Sequence, residues 1–160
     1  MKVVVPIASG CEEMEVVIIV DVLRRAGWQV TVAALEEEPV VASRGVKLSA
    51  DCRWDELVLA DQDGLILPGG LGGTERLCSH VGVQAALRDF VERDRWVGSI
   101  CAAALALHTA GVLEGRVFTC YPGVEKSLPT DVQPIDERVV VDGKLITSQG
   151  PGMAFDFALA

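Results

Sequence analysis

Cys101 stands where an apolar run, Trp96-Val97-Gly98-Ser99-Ile100, gives way to Ala102-Ala103-Ala104-Leu105, a stretch of strong helix formers. A cysteine at such a change sits in a tight strand-to-helix turn at the C-terminal edge of a sheet. Its sulfur is displayed, and the partial positive charge of a helix N-terminus lowers its pKa. The turn reads as a nucleophile elbow with cysteine in the place of serine; the alternative is a small buried hydrophobe closing the sheet. Glu15 is the second candidate. It follows the turn Ser9-Gly10-Cys11, shares a helix face with Val22 and lies close to Ile18 and Ile19. Its carboxyl is therefore expected to be partly buried and protonated, able to donate a hydrogen bond to a nearby thiolate and to move protons. Glu12, in the first turn of the same helix, suits the helix dipole or solvent. The third candidate is Pro68-Gly69-Gly70, where backbone N–H groups, partnered by that of Ala102, can hold an oxyanion. A Cys–His pair is disfavoured: His108 is seven residues along the same expected helix, roughly 10 Å away, and His80 lies in a polar connection without an evident partner.

These three turns need a sheet edge to bring them together. Lys2 to Ala8 contains three consecutive valines and reads as a strand buried on both faces. A helix from Glu12 to Arg25 follows, stopped by Gly27, and Trp28 to Leu35 is the second strand. Strand, helix and strand over such a span make a βαβ unit, so the sheet is largely parallel. Val40 to Ser43 and Val46 to Ser49 flank Arg44-Gly45 as an expected two-residue hairpin, and Trp54 to Leu57 is a short helical piece. Gly64 to Leu67 is a buried strand, and Val81 to Arg93 is an amphipathic helix. Arg116 to Thr119 reads as a further short strand, Val139–Val141 and Lys144–Thr147 as a hairpin around Asp142-Gly143, and Met153 to Ala160 as the start of a helix. The expected architecture is a single three-layer α/β sandwich over residues 1–160, mostly parallel, in which ligands bind beyond the carboxyl ends of the strands.

Bulk properties narrow the function classes. Half of the 160 residues are hydrophobic, and the net charge of −9 argues against nucleic acid or an anionic membrane as partner. Met1-Lys2 runs directly into a strand with no signal-peptide pattern, and no apolar run approaches the roughly 20 residues of a membrane span. Five cysteines without Cys-x-x-Cys spacing imply reduced thiols, a cytoplasmic setting and no zinc ribbon. The glycines spell neither a phosphate loop nor the dinucleotide fingerprint, so a nucleotide-binding module is weakly supported. Cys120 reads as a packed residue, with a resolving thiol as the alternative.

Taken in order, Gly10-Cys11-Glu12-Glu13-Met14-Glu15, Val20 to Gly27, Ala42-Ser43-Arg44-Gly45-Val46, Leu67-Pro68-Gly69-Gly70, Ile100-Cys101-Ala102-Ala103 and Leu145 to Gly152 resemble the ThiJ/PfpI family, in its parkinsonism-associated deglycase and YajL-like branch. The resemblance implies a flavodoxin-like α/β/α fold, a homodimer, and no metal or organic cofactor. It implies that Cys101 is a reactive, oxidisable nucleophile, that Glu15 is the protonated glutamate beside it, and that Gly70 and Ala102 are the backbone donors. Gly69, Tyr121 and Arg44 would line the substrate pocket, with Arg25 at its dimer edge. The activities implied are glyoxalase III-type conversion of small reactive carbonyls, deglycation of protein or nucleotide adducts, or a redox-switched holdase without turnover. Tyr121-Pro122 stands where the human-type branch has a histidine before proline, and Ala102 where the protease-like branch has histidine, which makes protease activity unexpected. Relatives of this kind continue the last helix beyond the position of Ala160, and that helix would cover part of the core.

Overall fold

The computed structural model describes residues 1–160. Nine strands and five α-helices follow one another as β1 (Lys2–Ile7), α1 (Glu13–Arg25), β2 (Gln29–Ala34), β3 (Val40–Val41), β4 (Lys47–Leu48), β5 (Cys52–Arg53), β6 (Gly64–Leu67), α2 (Leu71–Ser79), α3 (Val81–Glu92), β7 (Trp96–Ile100), α4 (Ala104–Thr109), β8 (Val139–Asp142), β9 (Leu145–Ser148) and α5 (Ala154–Leu159). Seven strands form the central sheet in the order β5-β2-β1-β6-β7-β9-β8, and only the β8–β9 edge is antiparallel. This is the expected three-layer, flavodoxin-like sandwich.

The valine run of β1 shows why both faces are covered. Val3, Val5 and Ile7 point into one core with Val16, Ile19 and Leu23 of α1 and Phe157 of α5, while Val4 points into the other. That second core holds Leu77, Val83, Leu87, Phe90 and Leu107 of α2, α3 and α4. Period-two alternation in the strands and burial at positions 15, 16, 19 and 23 of α1 place each side chain in its layer. The start of α1 and the chain beyond β6 and β7 are thereby delivered to one edge of the sheet.

Several expectations need correction. The hairpin at Arg44-Gly45 is built on three loop residues: Gly45 N–H donates to Ala42 O at 3.0 Å, and Gly45 takes a φ of 87° as the left-handed residue that rejoins the two strands. The second hairpin turns one residue later than expected, because Asp142 already pairs with Leu145. Residues 116–119 form no strand: Arg116 N–H turns back to Leu113 O, and the N–H groups of Val117 and Thr119 go to side chains, Asp142 Oδ2 and Thr147 Oγ1, rather than to a ladder. Helix α2 has no counterpart in the sequence pattern, because Gly72 and Gly73 weaken any helical signal. A Cβ on Gly73 would come 2.7 Å from Cys11 Cα, and one on Gly72 3.3 Å from Gly10 Cα. These glycines let the first turn of α2 lie against the turn that precedes α1. The segment after Cys101 begins as a 3₁₀ turn, Cys101–Ala103, and only then becomes the six-residue α4.

Candidate functional site

Ile7, Leu67 and Ile100 end β1, β6 and β7, and the three turns that leave them meet. Cys101 takes a φ of 62°, one of only two non-glycine residues with positive φ, as the elbow requires. Glu15, in the first turn of α1, has no exposed surface, and its Oε2 accepts a hydrogen bond of 2.7 Å from Gly69 N–H. The carboxyl lies beside the Cys101 thiol, its Oε1 buried and without a hydrogen-bond partner, and the N–H groups of Gly70 and Ala102 act on the same sulfur. Gly69 lies between these groups with no room for a side chain: a Cβ there would come 2.6 Å from Cys101 Cβ and 2.8 Å from Glu15 Oε2. Glu12 N–H donates to Gly69 O at 2.9 Å, which fastens the start of α1 to the glycine turn.

The electrostatics differ from the sequence expectation at one point. Burial pushes the Glu15 carboxyl up to about 7, against smaller opposing contributions from Gly69 N–H and the Cys101 thiol. The Cys101 thiol is not lowered as its position before a helix suggested. Burial, reinforced by the charge of ionised Glu15, pushes it up to about 12, against the Gly70 and Ala102 N–H donors. The physical reason is burial beside a second ionisable group, and α4 itself begins only three residues later. Thiol and carboxyl therefore titrate as a pair, and the first proton leaves that pair near pH 7. Glu15, the lower of the two, loses that proton and its charge holds the Cys101 thiol protonated, so the singly ionised pair is a carboxylate that can act as base beside a thiol.

The remaining candidates are placed less centrally. Tyr121 N–H donates to Cys101 O at 3.2 Å, which seats this residue beside the elbow with its side chain 48% exposed. Arg44 is tied by its N–H to Glu13 Oε1 at 2.8 Å and is exposed, while Arg25 pairs with Asp21 on the outer face of α1. The structure joins neither arginine to Cys101. His80 caps α3 by accepting from Val83 N–H and packs edge-on against Trp54, a structural role that sequence reasoning missed. Cys11 and Cys120 are buried in the two cores, with thiols that burial raises to about 11. No group of three or more His, Cys, Asp or Glu side chains could together hold a metal. Glu13 and Ser43 also escaped sequence reasoning: buried Glu13 binds Ser43 Oγ at 2.8 Å and pins the 43–45 loop to α1. A carboxylate one residue past the cap, opposite a serine-containing turn, was the available signal.

Mild peroxide is expected to add two oxygens to Cys101 and none to Cys11 or Cys120, because of these three only Cys101 is partly exposed while the other two are buried. Peptide mass mapping checks this, and equal oxidation of Cys11 would sink it.

Comparison with known proteins places this geometry in context. A family model described as "DJ-1/PfpI family" matches residues 1–160. Protein DJ-1 homolog B of Arabidopsis thaliana is 47% identical over 161 residues, covering 99% of this chain, which spans only 36% of that relative's length. A Caenorhabditis elegans relative named glutathione-independent glyoxalase DJR-1.2 is 34% identical over 94% of this chain and 81% of its own length. The crystal structure of Drosophila melanogaster DJ-1beta superposes with a TM-score of 0.93 at 42% identity, covering 99% of this chain and 86% of the other.

Proposed function

Because the chain belongs to the DJ-1/PfpI family, we propose that it is a cysteine-dependent, cofactor-independent enzyme acting on small reactive carbonyls. The observation that carries this reading is the Cys101 sulfur set among the Glu15 carboxyl and the N–H groups of Gly70 and Ala102. The glyoxalase named among its relatives supports the same class of chemistry. With methylglyoxal, ionised Glu15 takes the Cys101 thiol proton as Sγ adds to the aldehyde carbon; the carbonyl electron pair moves to oxygen, which receives that proton from Glu15. Gly70 and Ala102 N–H hold that oxygen as its charge develops. Glu15 then removes the proton from the former aldehyde carbon and returns it to the adjacent carbon, while the hydroxyl proton passes to the neighbouring carbonyl oxygen, turning the hemithioacetal into a thioester of the hydroxy acid. Water cleaves the thioester, and the thiol is restored. The sum is methylglyoxal plus water to lactate, with no external oxidant or reductant. Release of a glycated amine or thiol would use the same attack on a hemithioaminal or hemithioacetal carbon.

Cys101→Ser is expected to lower lactate formation from methylglyoxal at least about a thousandfold, since a serine hydroxyl in this setting is far less ionised than a thiol. Turnover retained by the serine variant would end the proposal. The same donors also fit the oxygens of a sulfinate, and this favours a second reading as a redox-switched holdase. Suppression of client aggregation that depends on peroxide, with no carbonyl turnover by the wild type, would select that reading instead. Met14 and Val17 are 54% and 52% exposed on α1, and this apolar face supports a homodimer. Five unpaired cysteines support a reducing, cytoplasmic setting, and no helix is long and apolar enough to cross a membrane.

A further inference from the structure

The first turn of α2 lies against the turn before α1: a Cβ on Gly72 would come 3.3 Å from Gly10 Cα and 3.5 Å from Ser9 O. This contact sets where Glu15 stands relative to the Gly70 N–H. Gly70 caps α2, and Glu12, one turn ahead of Glu15, donates its N–H to Gly69 O at 2.9 Å. A bracket of polar contacts closes around the same place from outside. Leu35 N–H donates to Ile7 O at 2.9 Å, so the chain leaves β2 alongside the Ser9-Gly10 turn and brings Glu36 to it. Glu36 Oε2 accepts from Ser9 N–H at 3.2 Å, and its Oε1 accepts from Arg76 Nε. Arg76, in the second turn of α2, also donates through Nη1 to Gly72 O at 3.0 Å. One guanidinium therefore grips the start of α2 directly and the turn before α1 through Glu36. Against the opposing effect of burial, the contacts with Ser9 and Arg76 hold the Glu36 carboxyl below the usual carboxylate value, so it is charged at neutral pH.

We propose that Glu36 and Arg76 are positioning residues for the Cys101 site, and that their bracket fixes the Glu15 carboxyl and the Gly70 N–H relative to the sulfur. The inference rests on the pairing of Glu15 with Cys101 that the proposed function also uses, and it does not depend on which substrate the pair acts on. Opening the bracket lets the turn before α1 draw away from α2 and admits water to Glu15. A less buried Glu15 ionises at lower pH and stands farther from the thiol whose proton it must take. The titratable groups beside Glu15 are Cys101 on the elbow and Glu12 on its own helix, and the bracket substitutions leave both in place.

Arg76→Ala and Glu36→Gln each remove one arm. Alkylation of Cys101 by iodoacetamide is followed by intact mass across the pH range in which Glu15 titrates, beside urea melts of the same proteins. Arg93→Ala is the reference: it removes another exposed ion pair, with Asp89, at the end of α3 where the chain enters β7 from the opposite edge of the sheet. Both bracket variants are expected to move the midpoint of the alkylation profile down by at least about half a unit and to lower its plateau about tenfold. Their urea midpoints should stay close to that of Arg93→Ala, because exposed ion pairs contribute little to stability. The double variant should resemble either single one, since both open the same bracket. Profiles that coincide with the wild type overturn the proposal, as does a lower plateau with an unmoved midpoint, the mark of a general loss of packed protein. Additive effects in the double variant overturn the shared bracket. Methylglyoxal turnover is read on the same proteins. Shifted profiles without turnover by the wild type end the enzymatic reading and keep the bracket, whereas turnover with unmoved profiles does the reverse.

Discussion

Glu15→Gln is expected to slow alkylation of Cys101 by iodoacetamide at pH 7 by at least about tenfold and to move the midpoint of its pH profile upward by more than one unit. In the wild type Glu15 loses its proton near pH 7 and can then take the thiol proton as the sulfur attacks, so reactivity rises with that ionisation. Glutamine cannot take that proton. The thiol must then ionise alone in a buried setting, above the unperturbed thiol value of about 8.5. A wild-type midpoint at or above that value would refute the coupled pair. The same substitution carries a stability signature of opposite sense. The folded pKa of Glu15 is raised from 4.5 to about 7, so its contribution is fully present below pH 4.5 and is lost as pH rises to about 7. At about 1.4 kcal/mol per pH unit this amounts to about 3 kcal/mol. The glutamine variant has no such loss, and its amide oxygen can still accept from the Gly69 N–H, so urea midpoints of variant and wild type should diverge from pH 5 to 8. Parallel curves would show that Glu15 is ionised at no cost.

Gly70→Ala is expected to cost about 3–5 kcal/mol of stability and to silence Cys101 in whatever protein still folds. Gly70 has a φ of 84°, and a Cβ there would run into Gly10 O, lie 2.5 Å from Glu12 N and 2.7 Å from Cys11 C. All three are backbone atoms of the turn before α1, so relief requires that turn to move away and to take Glu15 with it. Gly27→Ala separates this clash from the cost of left-handed backbone itself. Gly27 has nearly the same φ, 81°, with nothing within 4 Å of the added carbon, and its cost should stay at about 1 kcal/mol. Equal urea midpoints for the two variants would mean that the turn before α1 is not packed against Gly70 as described. Denaturant melts at fixed pH, paired with iodoacetamide labelling, measure both effects.

What the sequence determined by itself was the scaffold and the identity of the reacting groups. Three valines in succession, the 3.6-residue spacing of α1 and the change of pattern at Cys101 each follow from local sterics and burial, which are written in neighbouring residues. Those signals also sufficed to bring the turns of β1, β6 and β7 to one edge, because parallel βαβ units leave no other arrangement. Tertiary structure decided whatever depended on partners far along the chain. Helix α2 forms in spite of its glycines because Gly72 and Gly73 are needed against Gly10 and Cys11, a contact that no local pattern encodes. Residues 116–119 lose their strand because side chains of Asp142 and Thr147 take the N–H groups of Val117 and Thr119. Arg25 is engaged with Asp21 four residues back on α1, and the backbone of Arg44 is held by Glu13 across the 43–45 loop, partners that only the fold assigns. The state of the thiol was decided in the same way. Cysteine before a helix suggests an easily ionised sulfur, but burial, reinforced by the charge of Glu15, keeps the proton on it. A pKa is set by everything within a few ångströms, and most of what surrounds Cys101 comes from residues dozens of positions away.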